Sequence, residues 1–251
     1  MTKPLAMTKP VPKRAMVLAA GLGVRLRPIT ADRPKPLVEV GGQSLLDRAL
    51  DRLAEAGVEH AVVNTHYFAE MVAKHLANRL KPRIHLSPEA KLLETGGGIA
   101  KALPLLGDDP FFVINGDSFW LNGPTDVLTR LADAWDDDRM DALLAVYLTP
   151  RALGYDGLGD FMVDPLGRLT RRRENEVAPF AYIGLQILHP RLFRAVQDGA
   201  FSLNRLYDHA AEADRLWGIV HDGEWFHIST PADLAEAQER LSSRFSYYHR
   251  I

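Results

Sequence analysis

One stretch near the N-terminus has the composition of a phosphate-binding loop. An apolar run ends at Leu18 and is followed by Ala-Ala-Gly-Leu-Gly, whose small residues permit positive φ angles and close approach of the backbone. Successive amides of such a loop can bind phosphate oxygens. We therefore predict that the chain binds a nucleotide, and that the loop residues involved are Ala20, Gly21 and Gly23.

Two basic residues beside this loop have the chemistry that a triphosphate requires. Arg25 supplies a planar, permanently charged guanidinium. Lys35 lies between Pro34 and Pro36, which stiffen the backbone and hold the ammonium at a fixed reach. We predict that both residues act in catalysis. A glycine turn with solvated basic residues is the plainer alternative, but it does not explain the whole stretch.

Two better-known phosphate motifs do not fit. A dinucleotide-binding fingerprint needs a third glycine that opens directly into a helix, whereas this chain has Leu26 there, with Pro28 soon after. A Walker loop needs Gly-Lys-Ser or Gly-Lys-Thr, which the sequence lacks.

A carboxylate at the end of a second apolar run is the best candidate metal ligand. The run 111–114 is wholly apolar and leads into Asn115-Gly116-Asp117. A carboxylate after such a strand lies at the ligand-binding edge of a parallel sheet. Because Mg²⁺ prefers one or two carboxylates together with phosphate oxygens, we predict that Asp117 is catalytic and binds Mg²⁺. A turn-forming aspartate is the alternative.

A third segment, 94–98, places three glycines at the start of a predicted helix. Glycine lets a backbone approach a flat nucleobase, so we predict that Gly96 and Gly97 bind the nucleotide. A helix start that merely needs flexibility is the alternative.

Strand-like and helix-like runs alternate through the first half of the chain, which predicts an α/β fold with a mainly parallel, doubly wound sheet. We expect a flexible tail over 1–14, with a possible second start at Met7, one domain over 15–243, and a C-terminal tail over 244–251. The domain divides into a nucleotide half (15–150) and a sugar-facing half (151–243). In the second half we expect 216–220 and 225–228 to pair as strands.

Composition excludes several classes of protein. The net charge of -2 gives no field that would recruit nucleic acid or an anionic membrane. The absence of cysteine excludes thiolate catalysis and disulfides, and no apolar run reaches the roughly 20 residues of a membrane span. We expect a cytoplasmic enzyme that acts as a monomer or homodimer.

The motifs together resemble sugar-1-phosphate nucleotidylyltransferases. The resemblance lies in Ala-Ala-Gly-Leu-Gly-x-Arg-Leu-x-Pro-x-Thr, Pro-Lys-Pro-Leu, Leu-Glu-Thr-Gly-Gly-Gly-Ile and Asn-Gly-Asp, and it extends over nearly the whole chain after the tail. It implies a Rossmann-like (GT-A-like) three-layer fold and a magnesium-dependent transfer of a nucleoside monophosphate to a sugar 1-phosphate. In that reaction Arg25 would hold the departing pyrophosphate, and Lys35 the α-phosphate and the incoming phosphate.

The resemblance also implies roles for residues that the motifs alone do not single out. Gly159 and Asp160, and more weakly Glu174, would line the sugar. Lys91 stands where the family has a base-reading Gln or Glu. A lysine has only donors, so it suits the carbonyl oxygens of uracil better than guanine.

His227 marks the largest departure from the family pattern. The family reads Trp-x-Asp-x-Gly-Thr where this chain has Trp-Phe-His-Ile-Ser-Thr over 225–230. A neutral imidazole is softer than the ligands magnesium prefers, so Mn²⁺ or Co²⁺ would suit it. His227 could ligate the metal directly, act through water or simply fill space.

The resemblance favours UTP and N-acetylmuramate 1-phosphate as substrates, which would place the enzyme in peptidoglycan recycling. One alternative is a guanylyltransferase that uses GTP and mannose or heptose 1-phosphate. Another is a nucleotide-sugar-binding sensor that lost turnover with His227. The basic run 171–173 could reach an anionic sugar, although a solvated charge run is the simpler interpretation.

Overall fold

A computed structural model describes residues 11–196 and 198–248, and side chains up to residue 243. The strands in these ranges are β1 (Arg14–Leu18), β2 (Glu39–Val40), β3 (Gln43–Ser44), β4 (His60–Thr65), β5 (Arg83–Pro88), β6 (Phe111–Asn115), β7 (Phe119–Leu121), β8 (Ala142–Leu148), β9 (Phe161–Val163), β10 (Leu169–Arg171), β11 (Phe180–Leu188), β12 (Leu216–Val220) and β13 (Glu224–Phe226). The α-helices are α1 (Leu45–Glu55), α2 (Ala69–Leu76), α3 (Glu94–Leu106), α4 (Val127–Ala134), α5 (Asn204–Glu212) and α6 (Pro231–Tyr248).

Nine strands form one twisted sheet in the order β10-β9-β11-β6-β1-β4-β5, with β8 on the other edge of β11 and β12 beyond β8. Seven of these nine strands run in the same direction, and β10 and β11 run antiparallel to them. The predicted α/β class with a mainly parallel sheet is therefore confirmed.

Alternating residues of β1 show why the fold has three layers. Ala15 and Val17 pack with α1, α2 and α4 on one face of the sheet, whereas Met16 packs with α3 and α5 on the other. Successive side chains of a strand point to opposite faces, so a strand that is apolar throughout must be covered on both. The predicted three-layer, Rossmann-like architecture is confirmed.

Several elements begin and end where the sequence predicts. The sequence predicts strands over 111–115, 180–188 and 216–220, and β6, β11 and β12 have these bounds. It also predicts a helix N-cap at Ser44, and α1 starts there, where the Ser44 hydroxyl accepts a hydrogen bond from the Asp47 amide at 3.0 Å. The sequence predicts a short helix over 95–103, whereas α3 begins at Glu94 and extends to Leu106, with Pro104 inside it. α6 continues past residue 243 to Tyr248. Most of the predicted N-terminal tail, residues 1–10, lies outside the described residues, as do 249–251 at the other end.

The predicted pairing of strands 216–220 and 225–228 is wrong. β12 pairs with β8 in the main sheet, and β13 pairs instead with β7, so that Phe226 lies opposite Phe119. The short link between β12 and β13 suggests a hairpin, but the chain leaves the sheet at the buried His221, whose Nε2 contacts the Leu121 carbonyl at 3.1 Å. A separate apolar cluster packs this two-stranded sheet against α6 and against Leu26 of the phosphate loop.

A positive-φ glycine in β11 lets the sheet pass close under the turn that follows β6. Gly184 has a φ of 81°, and a Cβ there would lie 2.0 Å from the Ser118 hydroxyl and 3.0 Å from Asn115 Cβ. Ser118 cannot simply move aside, because its hydroxyl donates to the Ile183 carbonyl at 3.0 Å. The close approach therefore requires glycine at 184.

Within the described ranges, no helix combines the length and the apolar character needed to cross a lipid bilayer.

The glycine requirement at 184 gives the first prediction. Gly57 also has a positive φ, 89°, but no atom lies within 4 Å of a Cβ built there, so Gly57→Ala should cost only backbone strain, about 1–2 kcal/mol. Gly184→Ala should cost about 1–3 kcal/mol more because of overpacking, and it should lower turnover because the clash displaces the turn carrying Asp117. Urea unfolding and activity assays of the two variants check this. Equal losses in both variants would contradict the proposed close approach.

Candidate active site

A cleft of about 380 Å³ opens at the carboxyl ends of β1 and β6. The loop after β1, the Lys35 turn and the turn after β6 meet here, and residues from the start of α3 line one side. Five of the predicted site residues contribute to its wall together with Asp117: Ala20, Gly21, Gly23, Arg25 and Lys35. Parallel strands that end at one edge of a sheet bring such segments together.

The phosphate loop is held open by its own hydrogen bonds. Gly23 adopts φ 61°, and its carbonyl accepts from the Thr30 hydroxyl at 2.7 Å. A Cβ at Gly21 would meet no atom within 4 Å. The amides of residues 21–23 make no hydrogen bond to another described backbone group, so they remain available to an anion, as the sequence predicts for such a loop.

Lys35 and Asp117 form the central contact of the cleft. The Lys35 ammonium donates to Asp117 Oδ2 at 2.8 Å; the lysine side chain is 12% exposed and the aspartate 40%. Arg25 is exposed on the wall and makes no hydrogen bond or ion pair to any residue that the structure describes. The cleft thus combines a partly buried ion pair with a guanidinium that is free to bind an anion.

The turn after β6 fixes the position of Asp117. The Gly116 amide donates to the Leu18 carbonyl at 2.8 Å, and the Ser118 amide donates to the Asn115 carbonyl at 2.9 Å. A Cβ at Gly116 would lie 2.9 Å from that Leu18 oxygen, so glycine is needed where the turn crosses the end of β1.

The β7–β13 pairing brings His227 close to this cleft, although the residue that lines its wall is Ser229 and not His227 itself. Because Phe226 pairs with Phe119, the next residue along β13 lies beside the turn that carries Asp117. His227 is half-buried, packs edge-on against Tyr155, and its Nε2 lies 2.7 Å from the Ser229 hydroxyl. Burial lowers the pKa of His227, and the charges of Lys35 and Arg25 lower it further. The imidazole is therefore neutral near pH 7.

These residues fit a metal that is also held by its substrate. Among the described residues, no group of three or more His, Asp or Glu side chains could hold a cation alone. Asp117 offers a second carboxylate oxygen, and neutral His227 is in the protonation state that ligation requires. One carboxylate, one imidazole and substrate phosphate oxygens would make a suitable ligand set.

Gly96 and Gly97 do not line the cleft, and the nucleotide-binding role predicted for them stays a prediction. Both amides donate to the Phe201 carbonyl, at 2.9 and 3.2 Å. A Cβ at Gly96 would clash with the Phe201 ring at 2.2 Å, and one at Gly97 with the Gly199 carbonyl at 2.2 Å. The glycines are needed because α3 packs directly on the segment 199–201.

Neighbouring residues line the cleft on this side instead. Lys91 is exposed and is not part of the wall, whereas Leu92, Glu94 and Thr95 are. Glu94 has a φ of 59°, a strained conformation for a residue other than glycine, and such strain is often found at functional sites.

The profile of the Nucleotidyl transferase family matches residues 14–156, which include the phosphate loop, Lys35, α3 and Asp117. This chain belongs to that family. It is 45% identical over 236 residues to the N-acetylmuramate alpha-1-phosphate uridylyltransferase of Caulobacter vibrioides, with 92% of this chain and 98% of that protein aligned. A protein of the same name from Neisseria meningitidis serogroup B is 33% identical over 229 residues, with 90% and 96% aligned.

More distant similarity extends to other members of the class. Mannose-1-phosphate guanylyltransferase catalytic subunit beta of Danio rerio is 30% identical over 233 residues, which cover 88% of this chain and 62% of that protein. The solved structure of a UDP-glucose pyrophosphorylase in complex with UDP-glucose superposes on this chain with a TM-score of 0.73 and 18% sequence identity. The superposition covers 92% of this chain and 99% of the pyrophosphorylase chain. The resemblance predicted from the motifs is confirmed: the protein is a sugar-1-phosphate nucleotidyltransferase.

A buried carboxylate that the sequence analysis did not identify joins two walls of the nucleotidyltransferase cleft. Glu89 is 5% exposed. Its Oε1 accepts from Asn64 Nδ2 at 2.7 Å and its Oε2 from the Leu93 amide at 2.9 Å, while Asn64 Oδ1 accepts from the Ala19 amide at 2.7 Å. The network connects the phosphate loop to the start of α3. In the sequence, Glu89 is one acid in a polar loop, and nothing distinguishes it.

The predicted sugar-side residues lie at a second cavity of about 380 Å³. Asp160 and Glu174 line it with Tyr182 and Tyr207. Gly159 is buried beneath, where a Cβ would lie 2.0 Å from the Ala178 carbonyl. The Tyr182 hydroxyl is buried near that of Tyr207 and makes no hydrogen bond of ordinary geometry to a described residue. Burial raises the pKa of Tyr182 well above its usual value. Its neighbour Ile183 accepts a hydrogen bond from the Ser118 hydroxyl at 3.0 Å, so this side of the cavity lies beside the turn that carries Asp117.

The Glu89 network gives the second prediction. Glu89→Ala leaves the Asn64 amide and the Leu93 N–H without their acceptor, so we expect a loss of about 2–4 kcal/mol in stability. We also expect a rise of about tenfold or more in the KM for the nucleotide, because loop and helix lose their connection. Urea unfolding and initial-rate kinetics measure the two effects. Glu70→Ala, an exposed change on α2, is the control. If Glu89→Ala had the same stability and the same KM as this control, Glu89 would not connect the loop and the helix as described.

Proposed function

We propose that this nucleotidyltransferase transfers UMP from UTP to N-acetylmuramate 1-phosphate and releases pyrophosphate. The observation that carries the proposal is the Lys35–Asp117 pair at 2.8 Å, which lies in a cleft of about 380 Å³ lined by the loop after β1 and the turn after β6. The relatives from Caulobacter and Neisseria, named for this reaction and matched over nearly their whole length, support the choice of substrates.

The chemistry requires positioning and charge neutralisation rather than a covalent protein intermediate. An oxygen of the sugar phosphate attacks the α-phosphorus of UTP in line, the bond to the bridging oxygen breaks, and pyrophosphate leaves. The free amides of residues 21–23 would bind the β- and γ-phosphates, and Arg25 would hold the departing pyrophosphate. Lys35 would neutralise the α-phosphate and the incoming phosphate, where charge grows in the transition state.

We propose that a divalent cation, Mg²⁺ or the softer Mn²⁺ or Co²⁺, is held by Asp117 and His227 together with substrate phosphates. Such a cation supplies Lewis-acid stabilisation of phosphate charge. The lowered pKa of His227 supports ligation, because the imidazole nitrogen carries no proton to be displaced. Lys35 contacts one oxygen of Asp117 and leaves the other available.

On the sugar side, Asp160 and Tyr182 would bind ring hydroxyls. Asp160 Oδ2 accepts from the Tyr182 amide at 2.8 Å, which orients the carboxylate and leaves its second oxygen for the substrate. A buried hydroxyl without a partner is costly, so a sugar oxygen is the expected partner of the Tyr182 hydroxyl. Gly159 would support this wall through its backbone, and Glu174 lies at the exposed rim.

Uracil would lie beside Leu92, Glu94 and Thr95. Lys91 is too exposed to be a strong base contact, so the preference for uridine rests on the relatives rather than on this residue. A guanylyltransferase remains the second candidate, because a mannose-1-phosphate guanylyltransferase also matches. The intact pairing of Lys35 with Asp117 argues against a sensor without turnover. We place the enzyme in the cytoplasm, where nucleoside triphosphates are available, in peptidoglycan recycling, and retain a monomer or homodimer as the expected state.

Pyrophosphate release from the purified chain tests the reaction. UTP and GTP are each combined with N-acetylmuramate, mannose and heptose 1-phosphates, in Mg²⁺ and then in Mn²⁺. We expect turnover with UTP and N-acetylmuramate 1-phosphate. Turnover with GTP alone would support the guanylyltransferase, and tight nucleotide binding without turnover in either metal would support the sensor.

The third prediction concerns Asp117. Asp117→Asn removes the charge that pairs with Lys35 and that would hold the cation, so kcat should fall about 100-fold or more. Asp109→Asn, an exposed change in the loop before β6, should leave kcat unchanged. Steady-state kinetics with saturating metal checks both variants. An Asp117 variant with near-normal kcat would remove this residue from the mechanism.

The fourth prediction concerns metal preference. His227→Asp replaces an imidazole with the harder carboxylate, so the ratio of kcat/KM in Mn²⁺ to kcat/KM in Mg²⁺ should fall about tenfold. His209→Asp, on the exposed face of α5, is the control for adding an acid elsewhere. An unchanged ratio in the His227 variant would show that this side chain fills space and does not ligate.

A further inference from the structure

The three arginines of the run 171–173 have three different environments. The Arg173 side chain is 89% exposed. Arg172 is used by the fold: its Nε donates to the Gly159 carbonyl at 2.7 Å, and its Nη1 donates to the Glu174 carbonyl at 2.8 Å. Arg171, 31% exposed, lines the second cavity at the end of β10. The run is therefore not one solvated charge cluster, as the simpler sequence interpretation has it.

Arg171 is held in place by only one of its three nitrogens. Its Nη1 donates to Asp208 Oδ2 at 2.8 Å and to the Asn204 carbonyl at 3.2 Å, both on α5. Its Nε and Nη2 make no hydrogen bond to any residue that the structure describes. Those two nitrogens are neighbouring donors in the guanidinium plane, the arrangement that binds a carboxylate through two parallel hydrogen bonds.

The cavity beside Arg171 contains partners for an uncharged sugar ring as well. Asp160 can accept from hydroxyls, and the unpaired Tyr182 hydroxyl can bond to a sugar oxygen. The Tyr182 end lies beside the turn that carries Asp117, because the carbonyl of the next residue, Ile183, accepts from the Ser118 hydroxyl at 3.0 Å. A sugar whose phosphate lies at Lys35 and Asp117 would therefore extend into this cavity toward Arg171.

N-acetylmuramate differs from N-acetylglucosamine by a lactyl ether on the C3 oxygen, which ends in a carboxylate. We propose that Arg171 binds this lactyl carboxylate through Nε and Nη2, and so selects an anionic N-acetylated sugar over its neutral analogue. The inference rests on the proposed function and adds the residue that determines sugar specificity. Asp208 orients the guanidinium by holding Nη1 and does not touch the substrate.

Arg171→Met tests the inference with two sugars. With UTP saturating, kcat/KM is measured for N-acetylmuramate 1-phosphate and for N-acetylglucosamine 1-phosphate in the wild type and in the variant. Loss of a charged hydrogen-bond pair should lower the preference for the lactyl sugar about 10- to 100-fold, mainly through KM. Arg171→Lys keeps the charge but not the two-donor geometry, so it should retain part of the preference.

Two further variants separate specificity from structural support. Arg173→Met removes a neighbouring exposed charge and should leave the preference unchanged. Asp208→Ala loosens Arg171 and should weaken the preference less than Arg171→Met does. If turnover of the neutral sugar is too slow to measure, calorimetric titration with UDP-N-acetylmuramate and UDP-N-acetylglucosamine gives the same comparison as a ratio of dissociation constants.

The outcomes distinguish this inference from the proposed function. Wild-type enzyme without turnover of N-acetylmuramate 1-phosphate would overturn the proposed function and the inference with it. Suppose instead that the wild type turns over N-acetylmuramate 1-phosphate. If Arg171→Met then loses the same activity toward both sugars, or loses activity toward neither, the inference is overturned and the proposed function stands.

Discussion

The contact between Lys35 and Asp117 is the interaction on which the arrangement of the site depends. It joins a long loop to the end of the central strand β6, and at 2.8 Å it requires both segments to be accurately placed. The lysine is largely shielded from water, so leaving its charge without a partner would be costly. In the free enzyme the Asp117 carboxylate neutralises the charge of Lys35. When substrate binds, its negatively charged phosphates can share this neutralisation, so the lysine charge never lacks a partner.

The two-stranded sheet of β7 and β13 makes this site possible from the other side. It brings a residue from near the C-terminus beside the turn after β6, about a hundred residues earlier in the chain. Its apolar faces pack against Leu26 and α6, so the phosphate loop is supported by the same cluster that positions His227. Packing of side chains, rather than the ladder of three residue pairs, holds this short sheet in place.

The sequence predicts the structure correctly where hydrophobic periodicity and local residue chemistry indicate the same element. Long apolar strands such as β6, the Ser44 cap and the phosphate loop follow from residue type and spacing alone. It was insufficient where a contact joins distant segments. The role of Glu89 depends on Asn64 and Leu93 meeting around it, the glycines of α3 serve packing against Phe201, and β7 is too short for a periodic signal. Three adjacent arginines are identical in sequence and acquire different partners only through the fold.

The start of α3 also contacts the chain that leads to α5. The Thr95 hydroxyl, on the wall of the cleft, accepts a hydrogen bond from the Leu203 amide at 3.0 Å, and the next residue, Asn204, borders the second cavity. The cleft and the second cavity are therefore linked through a connection of a few residues. If binding of one substrate raises the affinity for the other through this connection, thermodynamic linkage requires the second substrate to raise the affinity for the first by the same factor. Each substrate would then favour binding of the other equally.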